Sequence, residues 1–143
     1  MITSAGRGRG SPPLLHFGGL RTPSDALVGP VAIAALESLH VDTVFMGVHG
    51  MDARAGLSTP NMLEAETNRA MIRCARRLIV LADSTKWGVV GLSSMAELSQ
   101  ASVIISDTGM PAQVSAQLAE QCDELVLVSP GQDQADGSEA AEK

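Results

Sequence analysis

Aromatic side chains are nearly absent: two Phe, one Trp and no Tyr occur in 143 residues. That shortage removes the stacking platforms on which single-stranded nucleic-acid binders depend. It also means that the core has to be assembled from Val, Ile, Leu, Ala and Met. Positive charge is scarce too, with 10 Lys and Arg against 16 Asp and Glu, a formal net charge of −6. A DNA- or membrane-binding surface spread over the whole chain is therefore not expected, because counterion release needs clustered cations. The only cysteines, Cys74 and Cys122, match no metal-ligand spacing, and both fall in apolar helical patterns that suit reduced, buried thiols. With only His16, His40 and His49, no zinc site can be assembled. No metal or other cofactor is expected. The N-terminus carries Arg7 and Arg9 but no apolar run after them, so it lacks the pattern of a signal peptide. No run of about 18 apolar residues exists that could span a bilayer. A soluble, cytoplasmic protein is the expectation.

What is present fits a folded chain: 45% of residues are hydrophobic and 18% charged, and the length suits one domain rather than two. Residues 1–12 are rich in Gly, Ser and Arg and lack periodicity, which predicts a disordered leader. Residues 130–143, acidic and containing Gly and Pro, predict a solvated tail. The ordered domain is expected at 13–129.

Within it, β and α signals alternate. Short apolar runs at Leu14–Phe17, Thr43–Met46, Leu78–Ala82, Val103–Ile105 and Leu125–Val128 suit strands buried on both faces, as in a parallel sheet. Helical spacing marks Pro30–Leu39, Pro60–Arg77 and Pro111–Gln121, each opened by a Pro that loses no needed N–H in the first turn. For the second of these, Thr59 and Asn61 compete as the N-cap. The order predicts an α/β layered, mostly parallel sheet with flanking helices and right-handed crossovers.

Ligands of open α/β sheets gather beyond the carboxyl ends of strands. Three segments qualify: Gly47–Asp52, Asp83–Gly88 and Ser106–Gly109. In the first, Gly47 and Gly50 admit positive φ and a close approach of an anion to bare amides; an ordinary strand-to-loop turn is the plainer reading. His49 alone reads more simply as a loop histidine. In the second, Lys86 suits the neutralisation of a phosphate or carboxylate as a point charge, although most lysines are merely solvated. Trp87 either walls a pocket or covers a core edge. Asp52, Asp83 and Asp107 form either a sugar-hydroxyl or catalytic set, or caps for the segments that follow them. Arg69, Arg73 and Arg76 share a helix face that reads as a solvated stripe, with DNA contact as the rival. No nucleophile elbow, P-loop, dinucleotide fingerprint or zincin motif occurs. The residues themselves lead to a small-anion or sugar pocket and no further.

Taken jointly, six segments resemble the effector domain of DeoR-type transcription regulators. They are Gly18-Gly19-Leu20-Arg21, Ala26–Pro30, Asp42–Asp52, Gly56–Asn61, Glu66–Ile72 and Leu81–Gly88. Order and spacing match from about Phe17 to Val128. The resemblance implies a sugar-isomerase-like α/β sensor and an allosteric regulator, a repressor rather than an enzyme. Its sensor would bind a phosphorylated sugar and alter the hold of an attached helix-turn-helix on operator DNA. It also implies a homo-oligomer, and nominates Gly47, Val48, His49, Gly50, Asp52 and Lys86 as ligand contacts. Thr59, opening the long helix, is a further one. The likeness begins in mid-domain, so the helix-turn-helix and the sensor's first strand and phosphate loop are expected outside these residues. Two rival expectations stand beside it: a sugar-phosphate isomerase using a base in Gly47–Asp52 or at Asp83, and a remnant unable to function alone.

Overall fold

The structure, a computed structural model, describes residues 2–3 and 14–129. Most of the leader and all of the tail expected from the sequence lie outside the described residues. Four strands form the central parallel sheet: β5 (Val41–Gly47), β8 (Ala75–Leu81), β10 (Val103–Asp107) and β11 (Leu125–Val128), in the order β11-β10-β8-β5. Helix α1 (Pro30–Glu37) precedes β5, α2 (Met62–Cys74) connects β5 to β8, and α3 (Ala112–Ala119) connects β10 to β11. Each connection steps the same way across the sheet. Right-handed crossovers therefore place α2 and α3 on one face.

Register fixes which side chains meet those helices. Met46, Val80, Ile104 and Leu125 stand in one cross-sheet row and join a buried cluster with Ala65 of α2 and Leu118 of α3. Val80, Ile104 and Leu118 are wholly buried, each stabilising the fold by about 1.5–3 kcal/mol relative to an exposed position. The opposite face carries the rows Phe45–Ile79–Val103 and Gly47–Leu81–Ile105–Val126. No helix among the described residues covers it; Phe45 is 65% exposed and Leu81 45%.

Short strands complete the molecule. The pairs β1 (Ile2–Thr3) with β2 (Leu14–Leu15), and β3 (Leu20–Arg21) with β4 (Leu27–Val28), are antiparallel. The expected strand at Leu14–Phe17 thus forms over two residues only, and it lies outside the parallel sheet because its partner is a neighbouring antiparallel segment. A second sheet, absent from the sequence-based expectation, contains β6 (Gly50–Asp52), β7 (Gly56–Thr59) and β9 (Ser93–Ala96) in the order β6-β7-β9.

Helix α2 is shorter than its apolar spacing predicts. Asn61, not Thr59, caps it: the Asn61 side-chain oxygen accepts from the amides of Leu63 (2.9 Å) and Glu64 (3.3 Å). At the other end Ala75 is already extended. Arg76 and Arg77 therefore belong to β8, and the expected arginine stripe is broken. Arg76 reaches Asp42 at the sheet edge (3.9 Å), whereas Arg69 donates to the Ser93 hydroxyl (3.1 Å) and the Ser94 carbonyl of β9. The buried Thr67 hydroxyl donates to the Leu63 carbonyl and accepts from the Gly29 amide, joining α2 to the start of α1. Among the described residues no helix is long and apolar enough to cross a membrane. Both thiols are free, and burial pushes each of them up.

The cap yields a direct expectation. Asn61→Ala should destabilise the chain by about 1 kcal/mol, measured by urea unfolding, because two first-turn amides lose their acceptor.

Candidate functional site

Parallel strands share a direction, so the segments leaving β5, β8 and β10 emerge on one rim of the sheet. A cavity of about 370 Å³ opens there between Gly47-Val48, Leu81–Asp83, Lys86, Ile105–Asp107 and Val128. The volume lies in the range of small-molecule sites.

Two carboxylates build this rim. Asp83 caps the short 3-10 turn Ser84–Lys86, accepting from the Thr85 amide (2.9 Å) and the Thr85 hydroxyl. Asp107 reaches across from the end of β10. It accepts from the Ser84 amide (2.6 Å), the Ser84 hydroxyl (2.9 Å) and the Gly109 amide (2.8 Å). These donors favour the ionised form. The Ser84 amide is the main group that lowers the Asp107 carboxyl below its usual value, with the Ser84 hydroxyl next; the Thr85 hydroxyl does the same for Asp83. The loops after β8 and β10 are thereby tied together, and Lys86 is carried to the cavity on the capped turn.

Ser106 stands between them. Its residue is 3% exposed, and among the described residues its buried hydroxyl has no hydrogen-bond partner. Buried hydroxyls are normally paired, and an orphan costs about 1–3 kcal/mol. Here the orphan belongs to a residue that lines the same cavity as Lys86. Sequence reasoning placed Ser106 at the head of the candidate segment Ser106–Gly109 but gave it no role of its own, since nothing in the run Val103–Asp107 separates it from an ordinary strand residue.

The segment after β5 divides the expected ligand residues. Gly47 lines both this cavity and a second one of about 410 Å³, which is bordered by His49, Thr59, Asn61, Glu64, Asn68 and Met95 as well as Pro23 and Ser24. Val48 and Lys86 face the first, His49 and Thr59 the second. Gly50 and Asp52 line neither. The expected positive φ is found at neither Gly47 nor Gly50. Gly50 is instead demanded by crowding: a Cβ there would stand 2.0 Å from the Val89 carbonyl oxygen. Asp52 closes the β6–β7 turn by accepting from the amides of Arg54 (2.8 Å) and Ala55 (2.9 Å), and the Ala55 contact chiefly lowers its carboxyl. Of the two readings left open for Asp52, Asp83 and Asp107, the capping one describes all three. Ser58, wholly buried in β7, donates to the Gly50 carbonyl and accepts from the Gly91 amide (2.8 Å); it fastens the hairpin to the segment after Trp87. Trp87 packs partly buried against the core, so it covers a core edge, immediately beside Lys86.

No group of three or more potential metal ligands occurs among the described residues.

Residues 8–108 match the family model described as the DeoR C terminal sensor domain. The chain is 36% identical over 115 residues to the putative aga operon transcriptional repressor of Escherichia coli O157:H7, a match covering 80% of this chain and 43% of that protein. Against the HTH-type transcriptional regulator GlpR of Haloferax volcanii it is 34% identical over 93 residues, 65% of this chain and 36% of the relative. Against the L-fucose operon activator of Haemophilus influenzae it is 30% identical over 87 residues, 61% and 35% respectively. The chain thus spans less than half the length of each of these curated relatives.

Two outcomes follow from the geometry. Gly50→Ala should unfold the chain or lower its melting temperature sharply, since backbone and not a flexible side chain blocks the new methyl. Gly47→Ala, with nothing within 4 Å of its Cβ, should melt like the parent. The lowered carboxyls of Asp52, Asp83 and Asp107 make the folded state bind fewer protons than the unfolded one in acid. Their contribution should be fully present above the usual value of 3.8 and be lost as pH falls through the lower folded values. In urea unfolding followed by circular dichroism across an acid titration, Asp107→Asn should be less stable than the parent near neutral pH and should lose less stability on acidification.

Proposed function

The chain belongs to the family of DeoR C-terminal sensor domains, and from that premise we propose that it senses a phosphorylated sugar on behalf of a transcription repressor. The relatives named above are regulators, two of them named for operons, and this supports a role in the control of sugar metabolism. The observation that carries the ligand class is Lys86 at the rim cavity, carried there on the turn that Asp83 caps and Asp107 ties to the end of β10. A phosphate oxygen accepts from an ammonium group, which acts on it as a compact point charge. Gly47 and Val48 border the same seat, and Gly47 leaves room for close approach of the ligand to the backbone. His49 and Thr59 lie on the adjoining side, toward the sugar. Gly50 and Asp52 act through the hairpin that holds this segment in place.

Catalysis is not part of the reading. A general base works best with a pKa near the operating pH, whereas Asp52, Asp83 and Asp107 are all pulled the other way by N–H and O–H donors. The sensing unit is taken as residues 13–129, acting in the cytoplasm as a homo-oligomer. In a polypeptide as long as the relatives, ligand binding would loosen an attached helix-turn-helix from operator DNA.

Trp87 supplies the test, because it is the only Trp and adjoins Lys86. Titration with a panel of pentose and hexose phosphates should shift its emission and raise the melting temperature for at least one compound. Lys86→Ala should weaken that binding by about 10- to 100-fold, the range expected for a charged hydrogen bond. A panel that moves neither emission nor melting temperature would sink the proposal.

A further inference from the structure

The cavity next to the phosphate seat has a chemistry of its own. Among the described residues neither Lys nor Arg lines it, so it does not suit a second anion. Its one acidic side chain is Glu64, in the first turn of α2, where the helix end favours the carboxylate. Both carboxylate oxygens accept from hydroxyls: Oε1 from Ser24 (2.6 Å) and Oε2 from Thr59 (3.2 Å). A carboxylate has about four acceptor positions, and these two contacts leave the others available. Asn68 borders the same space with an amide whose donor is matched only to the Met95 sulfur (2.9 Å), a weak acceptor. The Met95 thioether offers an apolar patch beside these polar groups.

Such a lining fits a hydroxylated carbon chain: acceptors for adjacent hydroxyls, an amide, and an apolar wall for C–H groups. Gly47, which has no side chain to part them, borders both cavities, so the two adjoin. We propose that Glu64 is the specificity-determining residue of the sensor, accepting hydrogen bonds from neighbouring hydroxyls of the sugar while the Lys86 side holds the phosphate. This rests on the phosphate seat proposed above.

The inference extends to Ser24. It lies in the exposed Thr22–Ala26 turn between β3 and β4, closed by Thr22–Ala26 and Asp25–Thr22 backbone bonds and including Asp25 at φ 63°. Its hydroxyl occupies one Glu64 oxygen. A sugar hydroxyl takes that place on binding, and Ser24 is released from α2.

The experiment compares the complete 143-residue chain with its Glu64→Gln, Ser24→Ala and Lys86→Ala variants by calorimetric titration. The probes are inorganic phosphate, glycerol 3-phosphate, ribose 5-phosphate and fructose 6-phosphate. In the parent, one of the two sugar phosphates should bind at least tenfold more tightly than glycerol 3-phosphate. In Glu64→Gln that preference should fall to within threefold while inorganic phosphate binds as in the parent. Ser24→Ala should bind the preferred sugar phosphate at least as tightly as the parent. Retention of the full preference in Glu64→Gln overturns the role of Glu64, as does a tenfold loss in Ser24→Ala. Lys86→Ala should weaken all four probes alike, inorganic phosphate included. If it does not, the phosphate seat itself fails, and if no probe binds the parent, both readings fall together.

Discussion

The parallel pairing of β8 with β5 on one side and β10 on the other is the constraint on which everything else depends. Parallel strands end on the same rim, so Gly47, Leu81 and Ile105 stand abreast in one row. The segments that follow them have no choice but to share a small volume. Antiparallel pairing would have sent the loop after β8 to the far end of the sheet, and Lys86 would never approach Gly47. The rim is then locked by Asp107, whose carboxylate spans the gap to Ser84. One acidic side chain thus fixes the position of a basic one through the backbone between them, without ever touching it in an ion pair.

The antiparallel sheet β6-β7-β9 performs the complementary task. It holds the segment after β5 from the outside, through Ser58 and through the close approach of Gly50 to Val89. Its buried Ser58 and Thr59 hydroxyls are both paired, to the Gly50 carbonyl and to Glu64, and paired buried hydroxyls stiffen the arrangement.

The sequence was legible where its signals were continuous. The runs Thr43–Met46, Leu78–Ala82, Val103–Ile105 and Leu125–Val128 announce a parallel sheet, and Pro30, Pro60 and Pro111 mark where helices begin. The six joint segments announce the family, and Gly47, His49, Thr59 and Lys86 border cavities. The second sheet was not legible. Gly50–Asp52, Gly56–Thr59 and Ser93–Ala96 are short, rich in Gly and Ser, and lack both alternation and an apolar run, so their pairing is a property of tertiary contact. Helical spacing was equally blind to the end of α2: Arg76 and Arg77 suit a helix by propensity, but their pairing partners on β5 draw them into a strand. Ser106, inside a candidate segment but without a role of its own, and Glu64 went unassigned for a related reason. What distinguishes them is the want of a partner in one case and the choice of partners in the other, and neither is written in the order of residues.

The bare face of the central sheet has a consequence for handling the protein. Parallel sheets are ordinarily covered on both sides, yet Phe45 and Leu81 meet solvent, and β5, at the end of the strand order, has an open edge among the described residues. An open edge beside an apolar face is a template for strand addition. Self-association through that face and edge rises with concentration while folding of the single chain does not, so dilution should protect a preparation of this chain.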